Sequence, residues 1–246
     1  MSWRTNSTLG AWLRLLRAPN FLTVSGDPLA GAAVAMADSG TIHPWPGWAV
    51  LAVLGLYAAG LLDNDITGLD EDRRYRPDRP LVMGAVSLRA ARRARLVAWC
   101  VGLVASLGAG VSGTTLAIVL SLLILLYHRV TCFHAGWGPA TLAACRGIAL
   151  LMGAWSNRLP WEYFGWRTVT ALAVWMGWVF LLSAIAHREE VEPARRHRVG
   201  SLLGALPLLQ AMAIWTSPHP NAVYVASTLV VFAVAYGMLR RVILPS

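Results

Sequence analysis

The chain has 246 residues, of which 57% are hydrophobic and only 13% are charged, whereas an average soluble domain carries roughly 25% charged residues. Too few polar side chains remain to cover a globule in water, so the composition excludes an ordinary soluble domain. The formal charge of +9 would suit a nucleic-acid partner, but the arginines lie between apolar segments, which is the pattern of a membrane topology signal. We therefore expect a multi-pass protein of the lipid bilayer that binds no nucleic acid.

Eight apolar segments approach the length of about 20 residues that a membrane-spanning helix needs. They are Asn20–Ala37, Pro46–Ile66, Leu96–Ala109, Thr114–Tyr127, Pro139–Trp155, Val169–Ala186, Val199–Trp215 and Ala222–Leu239. Only Gly110–Gly113 separates the short third and fourth segments, and we interpret this stretch as the turn of a hairpin. Because the segments are continuously apolar, strands are disfavoured. The sequence predicts an all-α, polytopic membrane helical bundle of about eight transmembrane helices, with residues 1–246 as a single domain.

The 21 basic residues, all of them arginine, test this count. With eight spans and the N-terminus inside, all but three arginines fall on the cytoplasmic side. The exceptions are Arg146, which lies inside a span, and Arg158 and Arg167, which fall outside. Joining the third and fourth segments would move every later group to the wrong side. The positive-inside rule thus predicts eight spans with both termini in the cytoplasm, as for a protein of a bacterial plasma membrane.

Acidic side chains collect at three places along the chain. The first group, Asp63–Asp72, comes at the cytoplasmic end of the second span, and the second group, Glu189–Glu192, comes at the cytoplasmic end of the sixth. Asp27 lies alone inside the first span, where it either satisfies the backbone donors of a broken helix or lines a cavity. Ionisable side chains inside a membrane are costly and commonly functional, so all three places are candidate sites.

The first acidic group has the chemistry of a metal and phosphate site. Carboxylate oxygens are the ligands that Mg²⁺ prefers, and this ion often bridges to substrate phosphates. Asp65 and Asp72 are seven residues apart, so a continuing helix places them on one face. The arginines of residues 73–79 supply donors for phosphate oxygens. We interpret the segment as a site for a lipidic diphosphate, with a solvated loop that sets topology as the alternative.

The segment Asn64–Ser87, NDITGLDEDRRYRPDRPLVMGAVS, resembles the first Asp-rich motif of the UbiA superfamily of intramembrane prenyltransferases. Leu13–Gly31 is similar to the first helix of that family, and Leu125–Val130 and Ala144–Ala154 resemble its fourth and fifth helices. These segments are nearest to the EboC-like branch. The resemblance implies a helical bundle around a cavity, in which a prenyl diphosphate held by Mg²⁺ ionises and an acceptor captures the allylic carbocation.

The resemblance also implies roles for individual side chains. The implied metal ligands are Asp65, Asp70, Asp72, Glu189 and Glu190; the implied substrate contacts are Arg17, Asn64, Arg73, Arg74 and Arg79; the implied catalytic residues are Asn20, Tyr127 and Arg146. Tyr127 would stabilise the carbocation through its ring, with Trp175 and Trp178 as further candidates. Arg146 is expected to face the cavity and to have an acidic partner, because an unpaired charge inside a span is costly.

Three departures from the family pattern bear on activity. Gly68 stands where the family has its second Asp, and Asp70 compensates only if Gly68 ends the helix. The second acidic group contains Glu and no Asp, and the chain has eight predicted spans where the family usually has nine. We therefore keep three hypotheses: a Mg²⁺-dependent prenyltransferase with an acceptor that the sequence does not identify, a terpene cyclase of the same fold, and a non-catalytic protein that binds or moves an isoprenoid lipid.

Overall fold

The computed structural model describes residues 7–40, 46–134, 136–157, 165–189, 205–211 and 220–243, and all longer regular elements in these ranges are helices. The helices are α1 (Thr8–Leu15), α2 (Pro19–Ser39), α3 (Gly47–Thr67), α4 (Leu69–Tyr75), α5 (Leu88–Gly108), α6 (Gly110–Arg129), α7 (Trp137–Ala154), α8 (Trp166–Glu189), α9 (described at residues 205–211) and α10 (Pro220–Ile243). The all-α prediction is confirmed.

Three of the described helices are long and apolar enough to cross a membrane by themselves: α3, α6 and residues Trp166–Ala186 of α8. Helix α10 contains a shorter apolar stretch, Val225–Arg240. Helices α2 and α5 have 21 residues each and α7 has 18, and these lengths also suffice for a span. The predicted seventh span overlaps α9 in its described part. The count of eight spans remains a prediction.

A turn between the third and fourth predicted spans is present, but it lies at Ala109, and the predicted turn residues Gly110–Gly113 form the first turn of α6. Helix α5 ends at Gly108 and α6 begins at Gly110, whose φ of 77° is readily adopted only by glycine. Asn157, beyond the end of α7, donates its backbone N–H to the Ala109 carbonyl at 2.8 Å and its side-chain amide to the Gly108 carbonyl at 3.2 Å. The hairpin is therefore anchored to the C-terminal end of α7.

Helices α2 and α7 approach each other until their backbones touch. A Cβ atom on Gly31 would lie 1.9 Å from the Leu150 carbonyl oxygen, and one on Gly153 would lie 1.9 Å from the Pro28 carbonyl oxygen. Small residues allow this close packing, which is a common source of helix association in membranes. The contact places the polar residues of α2 directly against α7.

The C-terminal end of α2 is hydrogen-bonded to the start of α8. The Asp38 carboxylate accepts hydrogen bonds from the Thr168 backbone N–H at 2.9 Å and from the Thr168 hydroxyl at 2.7 Å, and from the Arg167 N–H at 3.3 Å. The Arg167 side chain donates to the Ala37 carbonyl. Asp38 thus satisfies backbone donors in the first turn of α8 that have no partner within that helix.

Helix α1 lies across α3 and α5, at the end of α3 and the beginning of α5. Its residues Ala11 and Leu15 are buried in an apolar cluster with Leu62 of α3 and Ala91 of α5. Ser7 begins the helix by accepting a hydrogen bond from the Gly10 N–H at 3.2 Å. This packing fixes the point at which the chain turns from α1 into α2, immediately beside the first acidic group.

Candidate functional site

The acidic segment after α3 forms two helices rather than one. Helix α3 ends at Thr67 and α4 begins at Leu69, with Gly68 between them. Helix-like hydrogen bonds continue through the junction, from the Gly68 N–H to the Asn64 carbonyl and from the Asp72 N–H to the Gly68 carbonyl. Gly68 has a φ of −84°, so its backbone is not in the left-handed region that favours glycine.

Asp65 and Asp72 converge on one guanidinium group. Both carboxylates are almost completely buried, with 4% of each residue exposed. The same Arg79 nitrogen, Nη1, lies 2.9 Å from Asp65 Oδ1 and 2.8 Å from Asp72 Oδ2. Arg17 Nη2 lies 3.3 Å from Asp65 Oδ1, and Arg76 Nη1 lies 3.5 Å from Asp72 Oδ1. The structure therefore brings together two predicted metal ligands and two predicted substrate contacts.

Arg17 reaches this cluster from an unusual backbone conformation. It lies between α1 and α2 with a φ of 48°, which is uncommon for any residue except glycine. Such a conformation costs free energy and persists only where the surrounding structure holds it in place. Here the packing of α1 and the Asp65 carboxylate hold Arg17 at the start of α2, which supports a functional position.

Polar and aromatic side chains border the cluster on the membrane side. The Asn64 amide donates to Asp65 Oδ1 at 3.3 Å. Asn20 is hydrogen-bonded to the Tyr57 side chain, and the Phe21 ring meets the Tyr57 ring edge-on with a centroid distance of 5.4 Å. Asn20 thus lies beside two aromatic rings, about one helical turn after Arg17. The sequence alone did not predict these aromatic neighbours, because Tyr57 belongs to an apolar segment.

A second acid–arginine pair lies beside the first. Asp63 Oδ1 is 2.8 Å from Arg95 Nη1, and Trp99 donates its indole N–H to Asp63 Oδ2 at 3.3 Å. This pair connects α3 to α5 and was not expected from the sequence. Two features of the sequence could have indicated this pair: Asp63 stands directly before Asn64, and the start of α5 is rich in arginine.

Several expected site residues lie away from Asp65 and Asp72. The Asp70 side chain is 89% exposed and pairs with Arg73 at 2.9 Å, and Arg74 is also exposed. The structure therefore does not bring Asp70, Arg73 or Arg74 into the cluster. Gly68 does end α3, but its backbone continues close to a helical path, so Asp70 stays on the solvent side.

The remaining expected residues of α6 and α8 are placed as follows. The half-buried Tyr127 ring meets the His128 ring edge-on with a centroid distance of 5.2 Å near the C-terminal end of α6. Glu189 is the last residue of α8, and its side chain lies outside the described part of the structure. Glu190 and the rest of the second acidic group also lie outside the described residues.

Deeper in the bundle, Asp27 joins four helices. It is fully buried on α2, and its Oδ2 lies 2.8 Å from Arg146 Nε on α7. Its Oδ1 accepts hydrogen bonds of 2.8 Å from the Trp175 indole N–H on α8 and from the Gln210 amide on α9. Arg146 also donates to the Thr23 carbonyl at 2.9 Å. The acidic partner expected for Arg146 is Asp27, while the contribution of Trp175 and Gln210 was not foreseen.

Residues 28–245 match the UbiA prenyltransferase family. The chain belongs to this family. It is 29% identical over 119 residues to digeranylgeranylglyceryl phosphate synthase of Sulfolobus acidocaldarius, a match that covers 48% of this chain and 42% of the relative. It is 34% identical over 161 residues to somaliensene A/B synthase of Streptomyces somaliensis, covering 60% of this chain and 45% of the relative. The aligned part thus spans less than half of each relative.

The fold agrees with this family assignment. A UbiA homologue from Archaeoglobus fulgidus, solved bound to GPP and Mg²⁺, superimposes with a TM-score of 0.59 at 13% identity, covering 94% of this chain and 87% of that chain. At 13% identity, this structural similarity is evidence for the fold alone. The chain is therefore an integral membrane protein with the helical bundle of UbiA proteins, and the EboC-like branch stays a prediction.

The cluster of Asp65, Asp72 and Arg79 can accept a divalent cation if phosphate oxygens complete the coordination. Within the described residues, no three His, Cys, Asp or Glu side chains are grouped closely enough to hold a metal ion. Asp65 and Asp72, however, already converge on one nitrogen of a positively charged guanidinium group, Arg79 Nη1. Mg²⁺ commonly uses one or two carboxylates together with water and substrate phosphates. The donor set therefore fits Mg²⁺ bound with a diphosphate better than it fits an all-protein metal site.

Proposed function

We propose that the chain is a Mg²⁺-dependent intramembrane prenyltransferase that moves a prenyl group from a prenyl diphosphate to an acceptor. The observation that carries this proposal is the convergence of Asp65 and Asp72 on the Arg79 guanidinium. This cluster lies beside Arg17 and Arg76 at one end of a UbiA bundle. The GPP and Mg²⁺ reported with the Archaeoglobus homologue support it, as does the name of the Sulfolobus relative, digeranylgeranylglyceryl phosphate synthase.

The side chains of the cluster match the charge that develops as a diphosphate leaves. Mg²⁺, when bound with the diphosphate, would act as a Lewis acid that offsets negative charge on its oxygens. Asp65 and Asp72 would hold the ion, while the guanidinium groups of Arg17, Arg76 and Arg79 would donate to phosphate oxygens. When the metal–diphosphate complex is bound, these donors would lie against the leaving group throughout the reaction and offset the negative charge that develops on it.

The opposite end of the substrate would meet an apolar and aromatic environment. Tyr57 and Phe21 lie on the membrane side of the cluster, next to Asn20. Aromatic faces stabilise cations, and the surrounding apolar core excludes water that would otherwise quench an allylic cation. Tyr127, the aromatic residue implied by the family resemblance, remains a second candidate on α6. The acceptor would approach through the interior that these residues line.

The test is diphosphate release by the purified chain in detergent. Incubation with geranyl diphosphate, Mg²⁺ and a membrane-lipid extract as the source of the acceptor should consume the substrate and release diphosphate, and EDTA should abolish the reaction. The Asp65→Asn variant should lose activity while its circular dichroism remains that of the wild type. If the wild-type chain neither binds nor consumes geranyl, farnesyl or geranylgeranyl diphosphate in the presence of Mg²⁺, the proposal is wrong.

A second candidate is cyclisation of the prenyl diphosphate without an acceptor. It is favoured by the similarity to a relative that is named for its product, somaliensene A/B. The same assay separates the two reactions, because a cyclase releases diphosphate and forms a hydrocarbon or alcohol in the absence of an acceptor. A non-catalytic lipid-binding protein would bind the diphosphate and release none of it.

We further propose that both termini lie in the cytoplasm of a bacterial cell. The positive-inside rule supports this orientation. In a variant without Cys100, Cys132 and Cys145, an impermeant thiol reagent should label Val111→Cys in intact cells. The same reagent should label Asp78→Cys only after the membrane is opened. The reverse labelling pattern would contradict the orientation.

A further inference from the structure

Arg79 occupies the position between the two buried carboxylates of the cluster. Its side chain is 23% exposed, whereas the Asp65 and Asp72 side chains are each 5% exposed. One nitrogen, Nη1, contacts Asp65 Oδ1 at 2.9 Å and Asp72 Oδ2 at 2.8 Å. The guanidinium therefore occupies the position between two carboxylate oxygens that a bridging Mg²⁺ ion would use.

A metal ion and this guanidinium compete for the same oxygens. Both are cations, and a Mg²⁺ ion that bridged Asp65 Oδ1 and Asp72 Oδ2 at about 2.1 Å from each would take the place that Arg79 Nη1 occupies between those two oxygens. A bare ion would therefore have to displace Arg79 from its partners. The displaced charge would be costly in this partly buried place unless another anion received it.

A diphosphate supplies that anion. Its oxygens offer acceptors that suit the planar, multidentate donor group of an arginine, so Arg79 could leave the carboxylates without losing its hydrogen bonds. Arg17, which contacts Asp65 Oδ1 at 3.3 Å, can move to phosphate oxygens in the same way. Free Mg²⁺ brings no such acceptors and adds only positive charge.

We propose that Arg79 makes this site select a metal–diphosphate complex over the free metal ion. The inference rests on the proposed function, because it takes Asp65 and Asp72 as the metal ligands. Arg79 changes partners as the complex binds, from the two carboxylates to the phosphate oxygens. Metal and diphosphate then bind with positive coupling, and this coupling is reciprocal: each raises the affinity of the other by the same factor.

The test measures metal binding directly, without catalysis. Mn²⁺ serves as the metal probe and is followed by electron paramagnetic resonance on the full-length chain in detergent, with and without geranyl thiolodiphosphate, an analogue with a poor leaving group. In the wild type, the analogue should raise Mn²⁺ affinity by roughly tenfold or more, within the usual range of coupling between ligands. In Arg79→Gln, Mn²⁺ alone should bind several times more tightly than in the wild type, and the coupling should shrink.

The matched control is Arg92→Gln, which removes the same charge from an exposed position on α5. It should bind Mn²⁺ as the wild type does, because screening by solvent weakens long-range effects of a surface charge. If Arg79→Gln binds Mn²⁺ alone no better than the wild type, the competition does not exist and the inference is wrong. If no variant binds Mn²⁺ even with the analogue, the metal site of the proposed function fails as well.

Discussion

Asp27 and Arg146 form an ion pair of 2.8 Å between α2 and α7, in the interior of a membrane-spanning bundle. Asp27 is completely buried, and Trp175 and Gln210 complete its partners. The Arg146 side chain is 16% exposed. Most of the charge of this pair is therefore satisfied within the protein, and the pair connects the first half of the chain to the second.

Removal of one partner of this pair should be strongly destabilising. Asp27→Asn or Arg146→Gln leaves the other charge buried and unpaired, which typically costs about 3–5 kcal/mol. The double variant Asp27→Leu/Arg146→Met should lose less than the sum of the single losses, because no unpaired charge remains. Unfolding in mixed micelles by titration with a denaturing detergent measures the free energies, and strict additivity would show that the two residues are not coupled.

The two buried carboxylates and the exposed Asp70 should differ in their effect on ligand binding. Asp65→Asn and Asp72→Asn should each weaken Mg²⁺-dependent binding of geranyl thiolodiphosphate by more than about a hundredfold, since even outer partners of metal ligands contribute 10–100-fold. Asp70→Asn should bind as the wild type does, because its side chain is exposed and paired with Arg73. Calorimetry checks this, with the exposed Glu71→Gln as the control; a large loss for Asp70→Asn would place that residue in the site after all.

Gly68→Asp should strengthen metal binding. The φ of −84° at this position suits any residue, and an added Cβ would meet the Asn64 carbonyl oxygen at 3.0 Å, so a shift of a few tenths of an ångström is needed. The new carboxylate would stand three residues after Asp65 and four before Asp72, spacings that share a helix face. We expect Mn²⁺ affinity to rise in Gly68→Asp and to stay unchanged in the uncharged control Gly68→Asn. Equal behaviour of the two variants would refute a third carboxylate ligand.

The contact between α2 and α7 should not tolerate a methyl group. In Gly153→Ala the new Cβ would lie 1.9 Å from the Pro28 carbonyl oxygen, so the helices must separate, and we expect a loss of about 1–3 kcal/mol or more. Gly177→Ala on α8 is the matched control, because no atom lies within 4 Å of its added Cβ. There alanine should stabilise the helix by about 0.5–1 kcal/mol. Thermal unfolding in detergent shows whether the two variants move in opposite directions.

The helical fold and the location of the acidic site were predictable from the sequence, because both follow from local patterns. Long apolar segments require helices in a membrane, and the hairpin that was predicted between the third and fourth spans forms with a positive φ at Gly110. The seven-residue spacing of Asp65 and Asp72 placed both carboxylates in one site, even though α3 ends between them. A break between two helices leaves the chain direction nearly unchanged when the junction residue, here Gly68, keeps near-helical torsions.

The hydrogen-bond and ion-pair partners of the site residues could not be predicted from local patterns. Arg79 was expected to contact phosphate, and nothing in the spacing shows that its guanidinium returns to Asp65, 14 positions earlier in the chain and on the other side of α4. Asp70 was expected to compensate for Gly68, but its direction depends on the exact torsions of one residue. Trp175 lies 148 positions from Asp27, and only the packing of α8 against α2 reveals that its indole is a donor rather than an apolar filler.

The bond between Asp38 and Thr168 has a consequence for the order of assembly. These residues are 130 positions apart, so α2 enters the membrane long before its partner helix has been synthesised. Until α8 arrives, the Asp38 carboxylate must be hydrated, and the first turn of α8 has no protein acceptor for its amides until it reaches α2. The contact between these helices can therefore form only after the second half of the chain has been inserted, which makes its formation a late event in biogenesis.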